Sequence, residues 1–491
     1  MGVIFKQSFL NTISTYVGFA IGAINTLFLY TSFMTDEYYG LVGYMISVAN
    51  ILMPLMNCGV QNALVKFYSS YTPGEERNKF TFMMFLLPWL AIIPVGIIGT
   101  LGYHTIAGLL SQKNPIVANY VWMIYIIAAS MAYFEVFYAW TKVQYQSVVG
   151  NFMKEVLHRV IVMLLLFALY LEWLDIQEFI YGMVCMYIFR MLVMWVIAFK
   201  IKRPEFSWGL PTQFKSVLKY SSLIILAGSI AIILLDIDKV MLGLYMDINN
   251  VAYYNVAVFI AIVIAVPTRA MQQITTPITA RLLNEKNYEE LGTLYQRSSI
   301  NLYVVSGVIF LLIVLNIKEL YELLPDAAYS KAIVVVFLIS LAKLCDNLIG
   351  INNAIIFNSK YYRMVLLFGL LLTVLTVVLN MLFIPLWGMN GSGFATLLAF
   401  LIYNSMKLVF VQRKFGIQPF TTKTLHASLF YTLMVGAFFF WDFPFHPLVN
   451  IVLKSVCIVV ISGVVMIRFH MSDDITAVWK KYSKPIRNYL P

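Results

Sequence analysis

Charge is what this sequence has least of. Only 12% of its 491 residues are Asp, Glu, Lys or Arg, against 61% hydrophobic, and the mean hydropathy is +0.82. A soluble chain of this length carries about twice that charged fraction, so a soluble multidomain enzyme is excluded. Cysteine is scarce too. Cys58, Cys185, Cys345 and Cys457 stand alone in apolar stretches with no CxxC pair, so neither a disulfide framework nor a zinc site is expected. The five histidines are scattered and form no HExxH, and no metal or other cofactor is expected. Segments of about ten alternating residues are lacking, which excludes a transmembrane barrel. The N-terminus also lacks a signal-peptide core. Lys6 is followed by the polar positions Asn11, Thr12, Ser14 and Thr15, so the first helix is expected to be retained.

What remains is a succession of long apolar runs with short polar breaks, the pattern of bilayer-spanning helices. Spans are expected at 9–31, 40–65, 80–103, 116–141, 149–171, 177–200, 216–238, 251–275, 297–317, 330–357, 361–385, 390–412, 424–441 and 446–469. This is an all-α integral membrane protein of about 14 transmembrane helices. With both termini cytoplasmic, the cytoplasmic side collects roughly 26 Lys and Arg, among them Lys66, Lys142, Lys154, Arg159 and Lys407. The other side receives only Lys113, Lys239, Lys318 and Lys331, as the positive-inside rule requires. The net charge of +11 therefore points to membrane lipids, not to nucleic acid. Trp479, Lys480, Lys481, Tyr482 and Lys484 make the tail a basic interfacial segment.

Two stretches about 210 residues apart look alike. Each opens with a polar-flecked helix, Asn11 to Tyr30 and Tyr220 to Asp238. Each then has a short external turn and a helix with an internal proline, Pro54 or Pro267, the candidate hinges. The expected organisation is an N-terminal lobe over 1–200, a cytoplasmic linker over 201–215 and a C-terminal lobe over 216–414. Two further helices follow over 415–470, then a basic tail over 471–491. Two parallel six-helix lobes facing a midplane cavity suit alternating access.

A charge at mid-bilayer costs roughly 3 kcal/mol, so each one needs a reason. Arg269 follows Pro267 in helix 8 and either faces the cavity, where a guanidinium can hold phosphate oxygens, or snorkels to the cytoplasmic face. Lys343 and Asp346 share a face of helix 10, as a structural pair or with Lys343 in the lumen. Arg190 and Lys454 are equally deep and read as structural. Asn25 in helix 1 and Asn57, Gln61 and Asn62 in helix 2 can line a wet lumen, with Asn255 in helix 8. Gly18 and Gly22 form a GxxxG packing motif. Glu135 is the leading carboxylate for coupling to sodium or protons, with Asp346 beside it as a candidate, although an interhelical hydrogen bond suits Glu135 equally. Asp236-Ile237-Asp238 spells the DxD of glycosyltransferases, but on a helix its carboxylates point about 200° apart and cannot chelate one ion. Asp238 and Lys239 are expected to mark the helix end near the outer rim of the cavity.

The stretches Asp238-Lys239-Val240-Met241-Leu242-Gly243 and Val251-Ala252-Tyr253-Tyr254-Asn255-Val256-Ala257 resemble the helix 7–8 junction of polysaccharide flippases. These belong to the multidrug/oligosaccharidyl-lipid/polysaccharide (MOP) exporter superfamily. Leu379 to Gly388, with Gly391, Gly393, Ala395 and Thr396 after it, is similar to their helix 11–12 junction, and Ser359-Lys360-Tyr361-Tyr362-Arg363 to their turn before helix 11. Ala252 departs from the pattern, since many relatives have glycine there. The resemblance implies a MATE-like pair of lobes around a cationic cavity. It also implies a polysaccharide-biosynthesis role, carrying undecaprenyl-diphosphate-linked oligosaccharide from the cytoplasmic to the periplasmic leaflet of the bacterial inner membrane, as Wzx-type O-antigen flippases do. Arg269 and Lys343 are then the natural diphosphate contacts, and a polysaccharide polymerase is a possible partner. A multidrug exporter would share the fold but calls for acidic and aromatic groups in the cavity. A membrane-embedded polymerase or ligase calls for a large external loop with an acid–base pair, and no such loop or pair is present.

Overall fold

The computed structural model describes residues 3–441 and 443–477. The tail residues Trp479 to Lys484 lie outside them. No strand occurs among the described residues, and each expected span falls on helix. Ten helical runs are long and apolar enough to cross a membrane. One of them, Arg363–Phe415, covers two expected spans. The expected 149–171 span carries Lys154, Glu155 and Arg159 and is not among the ten, nor is the Phe214–Tyr245 helix of the 216–238 span, and the Thr422–Phe438 helix has only 17 residues. The fold is an all-helical, multi-pass membrane architecture.

Backbone contacts divide the chain into two compact units, Met1–Asn255 and Val256–Pro491. The division lies beyond the 201–215 linker, because the Phe214–Tyr245 helix packs on Asp36–Asn57 in the first unit. That helix also runs past Asp238 and Lys239, which were expected to end it. The Lys239 ammonium lies 3.3 Å from Asp236, so the two charges neutralise each other inside the helix and it continues.

The breaks in the helices have specific local causes. In the first unit the Asp36–Asn57 helix runs through Pro54 and stops at Cys58 and Gly59, both in the left-handed conformation. The chain therefore turns four residues past the proline. In the second unit a 3-10 turn over Val263–Ala265 precedes the Val266–Asn284 helix, so Pro267 stands in a first turn, where its missing N–H costs nothing. The carbonyl of Ile264 is left over at this break. Asn347, 1% exposed, donates to it at 2.8 Å and accepts from Thr268 at 2.6 Å. Gly388 divides Arg363–Phe415 with φ 58° and ψ −134°, a conformation closed to residues with a Cβ.

Among the described residues the second unit has one ion pair with both side chains enclosed, Lys454 with Glu319, 2% and 5% exposed. The structural reading of Lys454 is thus its observed geometry. Lys454→Met alone leaves a buried, uncompensated carboxylate and is expected to cost about 3–5 kcal/mol. Combining it with Glu319→Gln should restore most of that loss. Thermal unfolding in detergent checks this, and equal losses in single and double variants would count against the pair.

Candidate functional site

The site is built on an irregularity in the helix that follows residue 147. Val148–Phe152 passes into a π-helical turn, Met153–Leu157, before α-helix resumes at His158–Tyr170. A π turn inserts an extra residue and re-aims the side chains on it. Here it sends Lys154 to Glu135 on the Val121–Val143 helix, with Nζ 2.5 Å from the carboxylate. Helix 1 docks against the same turn. A Cβ on Gly18 would lie 2.2 Å from the Glu155 carbonyl oxygen, and one on Gly22 would lie 3.0 Å from Arg159 Nε. The GxxxG motif is therefore a packing seam, and at Gly18, against backbone, only glycine fits.

Beside this joint lies a cavity of about 490 Å³. Lys66, Lys142, Lys154 and Glu135 supply its charge, Gln61 and Asn62 its neutral polar groups, and Met53, Val65 and Tyr220 its apolar wall. The lysines are held in two different ways. Lys154 has Glu135 as its counter-ion. Lys66 instead stands 3.8 Å above the Tyr220 ring and Lys142 3.8 Å above the Tyr138 ring. Neither forms an ion pair with a carboxylate of the described residues. A cation over an aromatic face gains about 0.5–2 kcal/mol, which a charge-assisted hydrogen bond to an anion readily exceeds. The cavity can therefore take an anion that replaces two ring contacts, without first breaking an ion pair at either lysine.

The other expected site residues are distributed as follows. Gln61, Asn62 and Glu135 come together in this cavity. Asn57 is fully buried and does not line it; its amide donates to the Ala132 carbonyl at 2.8 Å, tying two helices together. Asn25, 3% exposed, is spent in the same way on the Arg159 carbonyl at 2.8 Å. Asp238 accepts from the Tyr254 hydroxyl at 2.7 Å, and Asn255 donates to the Tyr39 hydroxyl at 3.2 Å. Asp236 is bound by Ser47 and Asn50 as well as by Lys239. Arg190 is buried over Phe134 and Tyr187, as its structural reading requires.

In the second unit Arg269 is exposed in the first turn of its helix. The Lys343 ammonium stands 4.4 Å above the Phe400 ring. Asp346, offered as a partner for Lys343, lies 3.9 Å from Lys407. Lys407 was counted with the cytoplasmic-side cations, yet its side chain is 2% exposed and bonded to Asn353 at 3.1 Å. It is an internal charge.

The sequence offers Lys66, Lys142 and Lys154 only as cytoplasmic-side cations, and the structure brings the three together in one cavity. Their signal is present: Lys66 and Lys142 end two helices and Lys154 lies early in a third, so all three belong toward one end of the bundle.

The chain matches the family described as polysaccharide biosynthesis protein over residues 4–283. It belongs to that family. The matched segment contains the whole lysine cavity, whose lining runs from Met53 to Tyr220. Among solved structures, this member of the family is similar to the lipid II flippase MurJ in an inward closed conformation. The identity is 15% and the TM-score 0.73, covering 94% of this chain and 100% of that one. It is also similar to an inward-facing multidrug resistance MATE family transporter of the MOP superfamily, at 13% identity and TM-score 0.63, covering 82% and 94%. A MOP superfamily transporter from Pyrococcus furiosus follows at 12% identity and TM-score 0.58, covering 84% and 95%. No curated protein matches by sequence. The fold is thus shared with both flippases and drug exporters, and the residues of the cavity have to discriminate between them.

Gly18→Ala is expected to destabilise by about 1–3 kcal/mol, because a backbone carbonyl cannot move aside as a side-chain tip can. Gly436→Ala, also in a helix but with open space at its Cβ, should be neutral or slightly stabilising. Comparing the melting temperatures of the two variants checks the seam.

Proposed function

We propose that this protein is a flippase for a lipid-linked glycan, moving an undecaprenyl-diphosphate-linked oligosaccharide from the cytoplasmic to the periplasmic leaflet by alternating access. The observation that carries the reading is the cavity with three lysines and one glutamate. A diphosphate is the cargo group best suited to it, since its oxygens can accept from several ammonium groups at once. If the termini are cytoplasmic, as the positive-inside rule favours, these helix ends face the leaflet on which such lipids are made. The family membership in polysaccharide biosynthesis and the fold shared with a lipid flippase support the same reading.

Arg269 and Lys343 are proposed diphosphate contacts of the second unit, on their chemistry and, for Arg269, its exposure. Asp346 beside Lys407 is the proposed carboxylate for coupling to sodium or protons there. A polysaccharide polymerase that consumes the flipped lipid is a proposed partner, and O-antigen or a related surface polysaccharide the proposed product. Export of organic cations fits less well, because three ammonium groups repel such cargo. Polymerase or ligase chemistry is not proposed, because the cavity offers one carboxylate, already paired with a lysine.

The test is genetic and chemical. Deleting the gene should leave undecaprenyl-linked glycans on the cytoplasmic leaflet, and the wild-type gene should clear them. Lys66→Gln with Lys142→Gln, expressed at normal levels, is expected to cut the flipped fraction about tenfold or more. Arg269→Ala should also fail to complement. Unchanged lipid-linked glycans together with new sensitivity to cationic drugs would replace the flippase reading with drug export.

A further inference from the structure

Glu135 is the only acid among the lining residues of the lysine cavity, and its surroundings are lopsided. The Glu135 side chain is 9% exposed, whereas Lys154, paired with it, is 45% exposed. A pair that served only packing would shelter both ends, as Lys454 and Glu319 do. Here the carboxylate is anchored in the wall and the ammonium stays open to the cavity. The Lys154 backbone is held by the π turn that packs on Gly18, so exchange of partner falls to its flexible side chain.

We propose that Glu135 is a built-in placeholder for the diphosphate of the cargo, an inference that rests on the flippase reading above. In the empty cavity Glu135 holds Lys154 and lowers the mutual repulsion of the three ammonium groups. When the diphosphate enters, Lys66 and Lys142 leave their tyrosine rings for its oxygens and Lys154 transfers from Glu135 to it. The carboxylate is then left beside an anion of like charge, which shortens the stay of the cargo. Carriers need this, because a site that binds too tightly cannot release. The charges agree: three lysines less one glutamate leave two positive charges, and a diphosphate diester carries about two negative ones.

The experiment is equilibrium binding of a radiolabelled farnesyl-diphosphate-linked sugar, a diester with the same two negative charges, to the full-length protein in nanodiscs. Glu135→Gln should bind about tenfold tighter than wild type, and Lys154→Gln about tenfold weaker. Glu135→Asp, which keeps the charge one methylene farther from Lys154, should fall between wild type and Glu135→Gln. It also decides the matter if the Gln variant does not fold, since binding no tighter than wild type would then overturn the placeholder. If the lysine variants weaken binding but Glu135→Gln binds no tighter, the placeholder is overturned and the diphosphate site stands. If neither wild type nor any variant binds the probe, the diphosphate reading itself fails, and the placeholder with it.

Discussion

Compensation of charge inside an apolar helical bundle is the constraint on which the rest of this structure depends. An ammonium or guanidinium away from water has to find a carboxylate, an amide oxygen or a ring face, or the helix that carries it does not insert. Lys454 finds Glu319, Lys239 finds Asp236, and Lys407 finds Asn353 and Asp346. Arg190 lies over Phe134 and Tyr187. These cations are inward and spent. Lys66 and Lys142 differ in that their observed partners are aromatic faces beside a cavity. Arg190 shares that kind of partner but is enclosed, so it is the open space beside Lys66 and Lys142, not the ring contact alone, that sets these two cations apart.

The helix irregularities follow a second economy. A break frees backbone carbonyls, and in an apolar medium each needs a donor. At the Val263–Ala265 turn the donor is Asn347, a residue remote in sequence. At the π turn Met153–Leu157 the Glu155 carbonyl accepts from the Arg159 guanidinium at 2.9 Å. Asn25, which opens a π turn of its own over Asn25–Leu29, donates to the Arg159 carbonyl. Asn25, which looks from the sequence like the lining of a wet lumen, is instead a fastening between two helices that each carry a π turn. The two π turns lie on helices packed against each other, and the glycine seam lets them come close enough to bond.

How much of this was legible follows from the range over which each signal acts. Helix positions were legible because length and hydropathy are local, and every expected span falls on helix. The GxxxG seam was legible for the same reason, since Gly18 and Gly22 share a face whatever they meet. The family was legible in the residues around Lys239 and Gly388. The cavity was not, because it joins residues from Met53 to Tyr220 on four stretches of chain. The burial of Lys407 was not legible because its helix runs on to Phe415 and packs the ammonium against Asn353 and Asp346, partners remote in sequence. Pro267 was read as interior to a helix because a 3-10 turn is invisible to a 3.6-residue period. Glu135 was singled out by its depth, but its partner could not be named, since the π turn that delivers Lys154 leaves no mark in the sequence.

The two kinds of lysine partner in the cavity also bear on why a carrier would use both. Ring contacts are cheap to exchange and hold a cation without neutralising it, so they keep the cavity attractive to an anion approaching from the head-group layer. A carboxylate does the opposite: it screens the field and competes for the bound state. With rings alone, three ammonium groups would bind a diphosphate strongly on either face of the membrane. With carboxylates alone, the cavity would be neutral and indifferent to it. One acid against three bases gives a site that attracts its cargo and still opposes keeping it, and that balance is what movement across a membrane requires.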